Sequence, residues 1–94
     1  MMLSDAPAER AILAGVCRYG SEAYYDVADL IDANSFTIDS NCMIYSCLKH
    51  IMDKDSNTSI DLPIILSAAK EIGLHDLVSN RQEVQHLSAI MNFP

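Results

Sequence analysis

The stretch Asp39-Ser-Asn-Cys-Met-Ile-Tyr-Ser-Cys-Leu-Lys-His-Ile51 decides the fold. Ile44, Cys47, Leu48 and Ile51 recur at intervals of three and four, which places them on one side of a 3.6-residue helix. A strand would alternate with a period of two, and this run does not. The spacing predicts a long helix starting at Asp39 or Ser40 with one apolar stripe. Its C-terminal neighbour, Asp53-Lys-Asp-Ser-Asn-Thr-Ser59, is polar and reads as a loop.

The same period extends outward in both directions. Downstream, Asp61 is a cap for a fourth helix with Pro63 in its first turn. Leu62, Ile65, Leu66, Ala69 and Ile72 form its apolar face and Gly73 closes it. Leu74, Leu77 and Val78 predict a short helical turn. Asn80 followed by Glu83 has the spacing of a capping box and opens a last helix. Val84, Leu87, Ile90 and Met91 are its inner face, and Phe93-Pro94 ends the chain abruptly. Upstream, Met1 to Ala6 reads as a flexible lead-in. A first helix starts at Pro7, with Asp5 as cap and Glu9 favourably placed at its positive end. Ile12, Leu13, Val16 and Cys17 make its buried stripe and Gly20 terminates it. Ser21 caps a second helix whose apolar side is Tyr24, Val27, Ala28 and Ile31, with Asp26, Asp29 and Asp32 on the wet side. Asn34-Ser35 break the pattern, and Phe36 is expected to plug the core from the connection that follows. The result is an all-α chain: a compact bundle of about five to six short helices over residues 7–92, after a lead-in of residues 1–6.

Composition narrows the function. The chain has 94 residues and a formal net charge of −7. Arg10, Arg18, Lys49, Lys54, Lys70 and Arg81 are scattered, so no basic stripe exists to neutralise phosphates, and direct nucleic-acid binding is not expected. An acidic surface suits a basic protein partner. Cys17, Cys42 and Cys47 are odd in number and lack a CxxC spacing, which fits reduced thiols in the cytoplasm rather than a disulfide framework. Ser4, Asp5, Glu9 and Arg10 interrupt any leader-like apolar run, and no apolar stretch approaches the roughly 20 residues of a membrane span.

Four constellations bear on chemistry. In the loop from Asp53 to Asp61, oxygens fall at alternate positions as in a calcium-binding EF-hand. The glycine required at the sixth position is Thr58, however, and the glutamate required at the twelfth is Ile64, so the loop reads as solvated. Cys47 and His50 share a helix face, but zinc normally needs four ligands, and neither Cys42 nor His75 and His86 is compelled to join them. No nucleophile elbow, Gly-rich phosphate loop or HExxH is present, and a bundle this small leaves little room for a substrate pocket, so no catalytic residues, cofactor site or metal site are assigned. Tyr24 and Tyr25 point about 100° apart on a helix. Either one is core and the other a contact element at the surface, or both cover the core edge.

The order of these signals resembles the N-terminal domain of DnaB-type replicative DNA helicases. Ala8-Glu9-Arg10-Ala11-Ile12-Leu13-Ala14-Gly15 is similar to that domain's opening A-E-x-A-(V/I)-L-(G/A). Ala23 to Ile31 is similar to A-x-x-x-V-A-D-L-L, and Asn34-Ser35-Phe36 stands where the family has P-E-D-F. Asn41, Ile44, Tyr45 and Leu48 follow A-H-x-x-I-(F/Y)-x-x-(I/M). Ile60-Asp61-Leu62 resembles the (V/I)-D-L start of the next helix, and Leu87-Ser88-Ala89-Ile90 resembles Y-L-x-E-L. The resemblance spans about residues 7–92. The chain departs from the pattern at Arg81-Gln82, where Gly-Gly is common, at His86, where an aromatic is usual, and at Pro7, where an acidic residue is common. These departures imply a divergent member of bacterial or phage type.

The resemblance implies a non-catalytic head that builds the collar of a hexameric ring and docks primase or a helicase loader during replication. ATP and Mg would then belong to a motor domain that this chain lacks, because no GxxxxGK(S/T) occurs before Pro94. On that reading the chain is the excised head of a longer helicase, a monomer or weak dimer by itself, contacting other helicase subunits in the ring. The alternative is a stand-alone helical adaptor or competitor that mimics the head. Tyr25, Asp26, Asp29, Asp32 and His86 are the candidate partner-contact residues.

Overall fold

Helix α1 runs from Ala6 to Tyr19 in a computed structural model that describes residues 5–92. Residues 1–4 of the expected lead-in, and the Phe93-Pro94 terminus, lie outside the described residues. Ala6 is already helical, one position before the expected start, with Pro7 in the first turn. Asp5 occupies the capping position through its backbone, whose carbonyl accepts the Glu9 N–H at 3.0 Å, but its side chain makes no cap bond. Leu13 and Val16 are fully buried, with Ile12 and Cys17 half-buried beside them.

Gly20 ends α1 by donating its N–H to the Val16 carbonyl at 2.8 Å. Its φ of 66° and ψ of −135° are backbone angles that only glycine adopts without strain, and they turn the chain directly into α2, Ser21–Ala28. Ser21 is therefore the first helical residue rather than the cap, and its hydroxyl makes no cap bond. Helix α2 is shorter than its apolar pattern predicts. Asp29 closes it, and Asp32 does not continue its wet face. Asp32 instead opens a 3-10 turn over Ala33–Ser35. Its carboxylate accepts the Asn34 N–H at 2.9 Å, and its own N–H donates to Ser35 Oγ at 3.2 Å. A short acidic side chain bonded to nearby backbone competes with helix propagation, which is why α2 stops early. Phe36 follows and is buried as expected, its ring 5.1 Å from that of Tyr45.

The remaining helices are α3 Asp39–Lys54, α4 Leu62–Glu71, α5 His75–Ser79 and α6 Arg81–Met91. No strand occurs among the described residues. Helix α3 is the axis of the bundle, burying Ile44, Tyr45, Cys47, Leu48, Ile51 and Met52 against its neighbours. It runs through Asp53 and Lys54, beyond the expected loop start, and Asp53 pairs with Lys49 one turn back at 2.6 Å. Asp61 caps α4 by accepting the Ile64 N–H at 2.9 Å. Gly73, at φ 80°, closes α4 with paired bonds from Gly73 N–H to Lys70 and from Leu74 N–H to Ala69. Asn80 caps α6 by accepting the Gln82 N–H at 2.9 Å. The reciprocal half of that capping box is absent: Glu83 Oε2 is buried without a hydrogen bond to a described residue.

Helix α1 packs on α2, α3 and α6, while α3 packs on α4, and α5 bridges α4 and α6. Leu13, Ile44, Leu48, Ile65, Leu77, Leu87 and Ile90 meet in the middle with no exposure. Each such side chain contributes about 1.5–3 kcal/mol relative to an exposed one, so this shared cluster, more than any helix alone, holds the elements together.

Candidate interaction surface

The exposed features of α2 follow from its length and its angular spacing. At about 100° per residue, Tyr24, Val27 and Ala28 face inward, while Glu22, Asp26 and Asp29 form a ridge pointing outward. Burial agrees: Tyr24 is 5% exposed and Tyr25 56%. The two rings meet edge to face with centroids 5.3 Å apart, so the Tyr24-Tyr25 pair takes the first of its two open arrangements, one ring in and one out. Tyr24 is 6.2 Å from Tyr45 on its inner side. Two exposed residues not singled out from the sequence join the same region, Tyr19 at the end of α1 and Leu30 just after α2. Their signal was an aromatic beside the helix-ending Gly20 and a leucine that falls outside the helical period. Tyr19, Glu22, Ala23 and Asp26 surround an open cleft of about 330 Å3.

Asp26 and Asp29 are exposed on this ridge, as is Tyr25 on its flank. Asp32 is exposed too, but its carboxylate is engaged in the 3-10 turn. His86 lies elsewhere. It sits half-buried on α6, across α1 from α2, with Nε2 at 2.7 Å from Asn41 Oδ1. The structure thus brings Tyr25, Asp26 and Asp29 together and sets His86 apart from them.

His86 belongs to an internal polar chain that sequence reasoning missed. Glu9, fully buried, reaches from α1 to the start of α3. Its carboxylate accepts from Thr37 Oγ1 at 2.5 Å, Thr37 N–H at 3.1 Å, Ile38 N–H at 3.4 Å and Asn41 Nδ2 at 3.0 Å. Ile38 is the capping position of α3 and has no side chain able to cap; Glu9 reaches in from another helix and takes up the Thr37 and Ile38 N–H groups just ahead of α3, with its charge at the positive end of the dipole. Burial opposes the charged form, but the bonds from Thr37, Asn41 and Ile38 outweigh it and hold the carboxyl below its usual range. Since Asn41 donates its amide nitrogen to Glu9, its oxygen faces His86, which must donate Nε2–H. Glu9 is thus not chiefly the dipole partner of its own helix. The uncapped Ile38 is the only local sign of this arrangement.

The other constellations resolve into local bonds. Asp53 is taken by Lys49, Asp55 Oδ1 accepts the Asn57 N–H, and Asp61 caps α4, so the three acids of the expected loop turn to separate partners. Cys47 is buried with its thiol pushed up to about 11 by desolvation. His50 instead meets Glu71 at 3.0 Å, and Lys54 meets the same carboxylate at 3.0 Å. Together they line an open cleft of about 330 Å3 between α3 and α4. Clefts of this volume, at the lower end for small-ligand sites, are more room than the sequence led one to expect. Among the described residues, no three His, Cys, Asp or Glu side chains converge as a metal site would require, and no helix is long and apolar enough to cross a membrane.

The family model of the DnaB-like helicase N terminal domain matches residues 1–93. No curated protein and no solved structure matches the chain.

Proposed function

The chain belongs to the DnaB-like helicase N-terminal domain family, and from that membership we propose that it is a non-catalytic head of a replicative DNA helicase, serving collar assembly and the docking of primase or a helicase loader in the cytoplasm. The observation that carries this reading is the extent of the match: it takes in all six α-helices of the described residues. ATP and Mg would be handled by a motor domain elsewhere in the parent helicase. The head binds proteins rather than DNA, because its net charge of −7 repels phosphates. Tyr25, Asp26 and Asp29 supply contacts that remain outside the core and accessible to a partner. Asp32 and His86 would act at such a surface only at the cost of bonds they already make inside the domain.

Titration of the isotopically labelled chain with the C-terminal region of the cognate primase tests docking. Specific amide resonances are expected to move at micromolar partner. If none moves at high micromolar concentration, the docking role is wrong for this protein. Light scattering tests assembly: the isolated chain is expected to be a monomer or weak dimer, and a stable hexamer of this chain would overturn that expectation.

A further inference from the structure

We infer that the outward face of α2, flanked by Tyr19 and Leu30, docks a cationic amphipathic helix of a partner protein. This deepens the docking role and rests on it, by fixing the face and the chemistry of its occupant. Among the described residues, the large apolar side chains left exposed are Tyr19 at 65%, Tyr25 at 56% and Leu30 at 64%. All three lie between positions 19 and 30, around one short helix. Scattered exposed apolar residues need no explanation, but a concentrated group on an otherwise well-buried domain marks a contact site.

Charge selects the occupant. Projected along α2, Glu22, Asp26 and Asp29 form the central ridge, with Tyr25 on one flank and Leu30 on the other. Several of the other acids are engaged: Asp53 by Lys49, Glu71 by Lys54 and His50, Asp61 and Asp32 at caps, Glu9 inside. Glu22, Asp26 and Asp29 make no ion pair with a described residue. A second copy of the chain on this face would set ridge against ridge, and nucleic acid would set phosphate against carboxylate; both are repelled. Arginine and lysine fit instead. Their alkyl stems cover Tyr19, Tyr25 and Leu30 while their charged ends reach the ridge, and a guanidinium also stacks on an exposed tyrosine. A helix presents such cations and its leucines one turn apart.

The chain has no tryptophan, so a synthetic helical peptide of Lys, Arg and Leu with one Trp can be followed by its own fluorescence anisotropy. A peptide with the same apolar residues but Glu in place of Lys and Arg is the control. The cationic peptide is expected to bind in the micromolar range at low salt and to weaken at least tenfold in 0.5 M NaCl, where screening is short-ranged. Its amide shifts should centre on Tyr19, Glu22, Tyr25, Asp26, Asp29 and Leu30. The double variant Tyr25→Ala, Asp26→Asn and, independently, Leu30→Ser should each weaken binding several-fold with helical content unchanged. The assignment is overturned if the shifts centre on another face, if the anionic peptide binds equally, if neither variant weakens binding, or if no binding occurs at millimolar peptide. Primase that binds with shifts away from α2 preserves the docking role and removes this face from it. Peptide bound on α2 without primase binding supports the face and gives it a different partner.

Discussion

Replacing Glu9 by glutamine probes the bond set that joins three helices. The substitution keeps the length of the side chain and one acceptor oxygen but removes the charge and turns the other oxygen into a donor. If the remaining oxygen faces Thr37, the new amide nitrogen confronts the Ile38 N–H and the Asn41 amide, which are themselves donors. Asn41 can reverse its amide only by presenting nitrogen to His86 Nε2, which must then switch tautomer. One backbone donor at the start of α3 still loses its acceptor. A buried unsatisfied donor costs about 1–3 kcal/mol, and loss of the charge at the helix end adds about 0.3–1 kcal/mol. We expect Glu9→Gln to destabilise the domain by about 2–3 kcal/mol. At about 4–8 °C per kcal/mol for a domain of this size, the midpoint of thermal unfolding should fall by about 10–20 °C. Circular dichroism at pH 7 measures that fall, and urea titrations between pH 6 and pH 3 supply a second test. The folded carboxyl titrates below the ordinary 4.5, so as pH falls the unfolded chain takes up the proton first. The stabilisation from Glu9 is therefore complete above about pH 4.5 and is lost as pH drops through the lower folded value. The wild type should lose stability over that window and the variant should lose less. A variant melting within about 2 °C of wild type, or identical pH dependence in both, refutes this role of Glu9.

His86→Ala removes the 2.7 Å partner of a buried asparagine oxygen and should cost about 1–2 kcal/mol in urea unfolding, without changing helical content; an unchanged midpoint would detach His86 from the network. Gly20→Ala meets no atom within 4 Å, so its expected cost of about 1–2 kcal/mol is backbone strain alone, and a variant as stable as wild type would show that the α1–α2 corner relaxes. The thiols of Cys17 and Cys47, each pushed up to about 11 by burial, should react with Ellman's reagent at pH 8 far more slowly in the folded chain than in urea; rapid native reaction of all three thiols contradicts the packing. Phe36→Ala, which empties the space beside Tyr45, should cost about 3–5 kcal/mol by the same urea assay, and a loss under 1 kcal/mol would show that the 3-10 turn repacks.

The class of fold and most of its punctuation are legible in the order of residues. Helical spacing in residues 39–51 and its continuation on both sides is local information, and so are the stops at Gly20 and Gly73 and the caps at Asp61 and Asn80. Each rests on hydrogen bonds and turn geometry within a few residues, which is the range over which a sequence can be read directly. The order of these segments also disclosed the family. Long-range packing settles the groups whose partners are far away or whose choice lies between two neighbours. Glu9 reads locally as the acidic first turn of α1, yet its bonds go to Thr37, Ile38 and Asn41, 28 to 32 positions later. His86 reads as a surface residue until Asn41, 45 positions earlier, meets its ring. Asp32 fits the wet stripe of α2 by period alone, and the Asn34 N–H draws it into the next turn. Tyr19 and Leu30 join the face of α2 because a glycine corner and an early helix end place them there. A charge or ring in a sequence carries its chemistry but not the direction in which that chemistry is satisfied; the packing of α1, α3 and α6 supplies the direction.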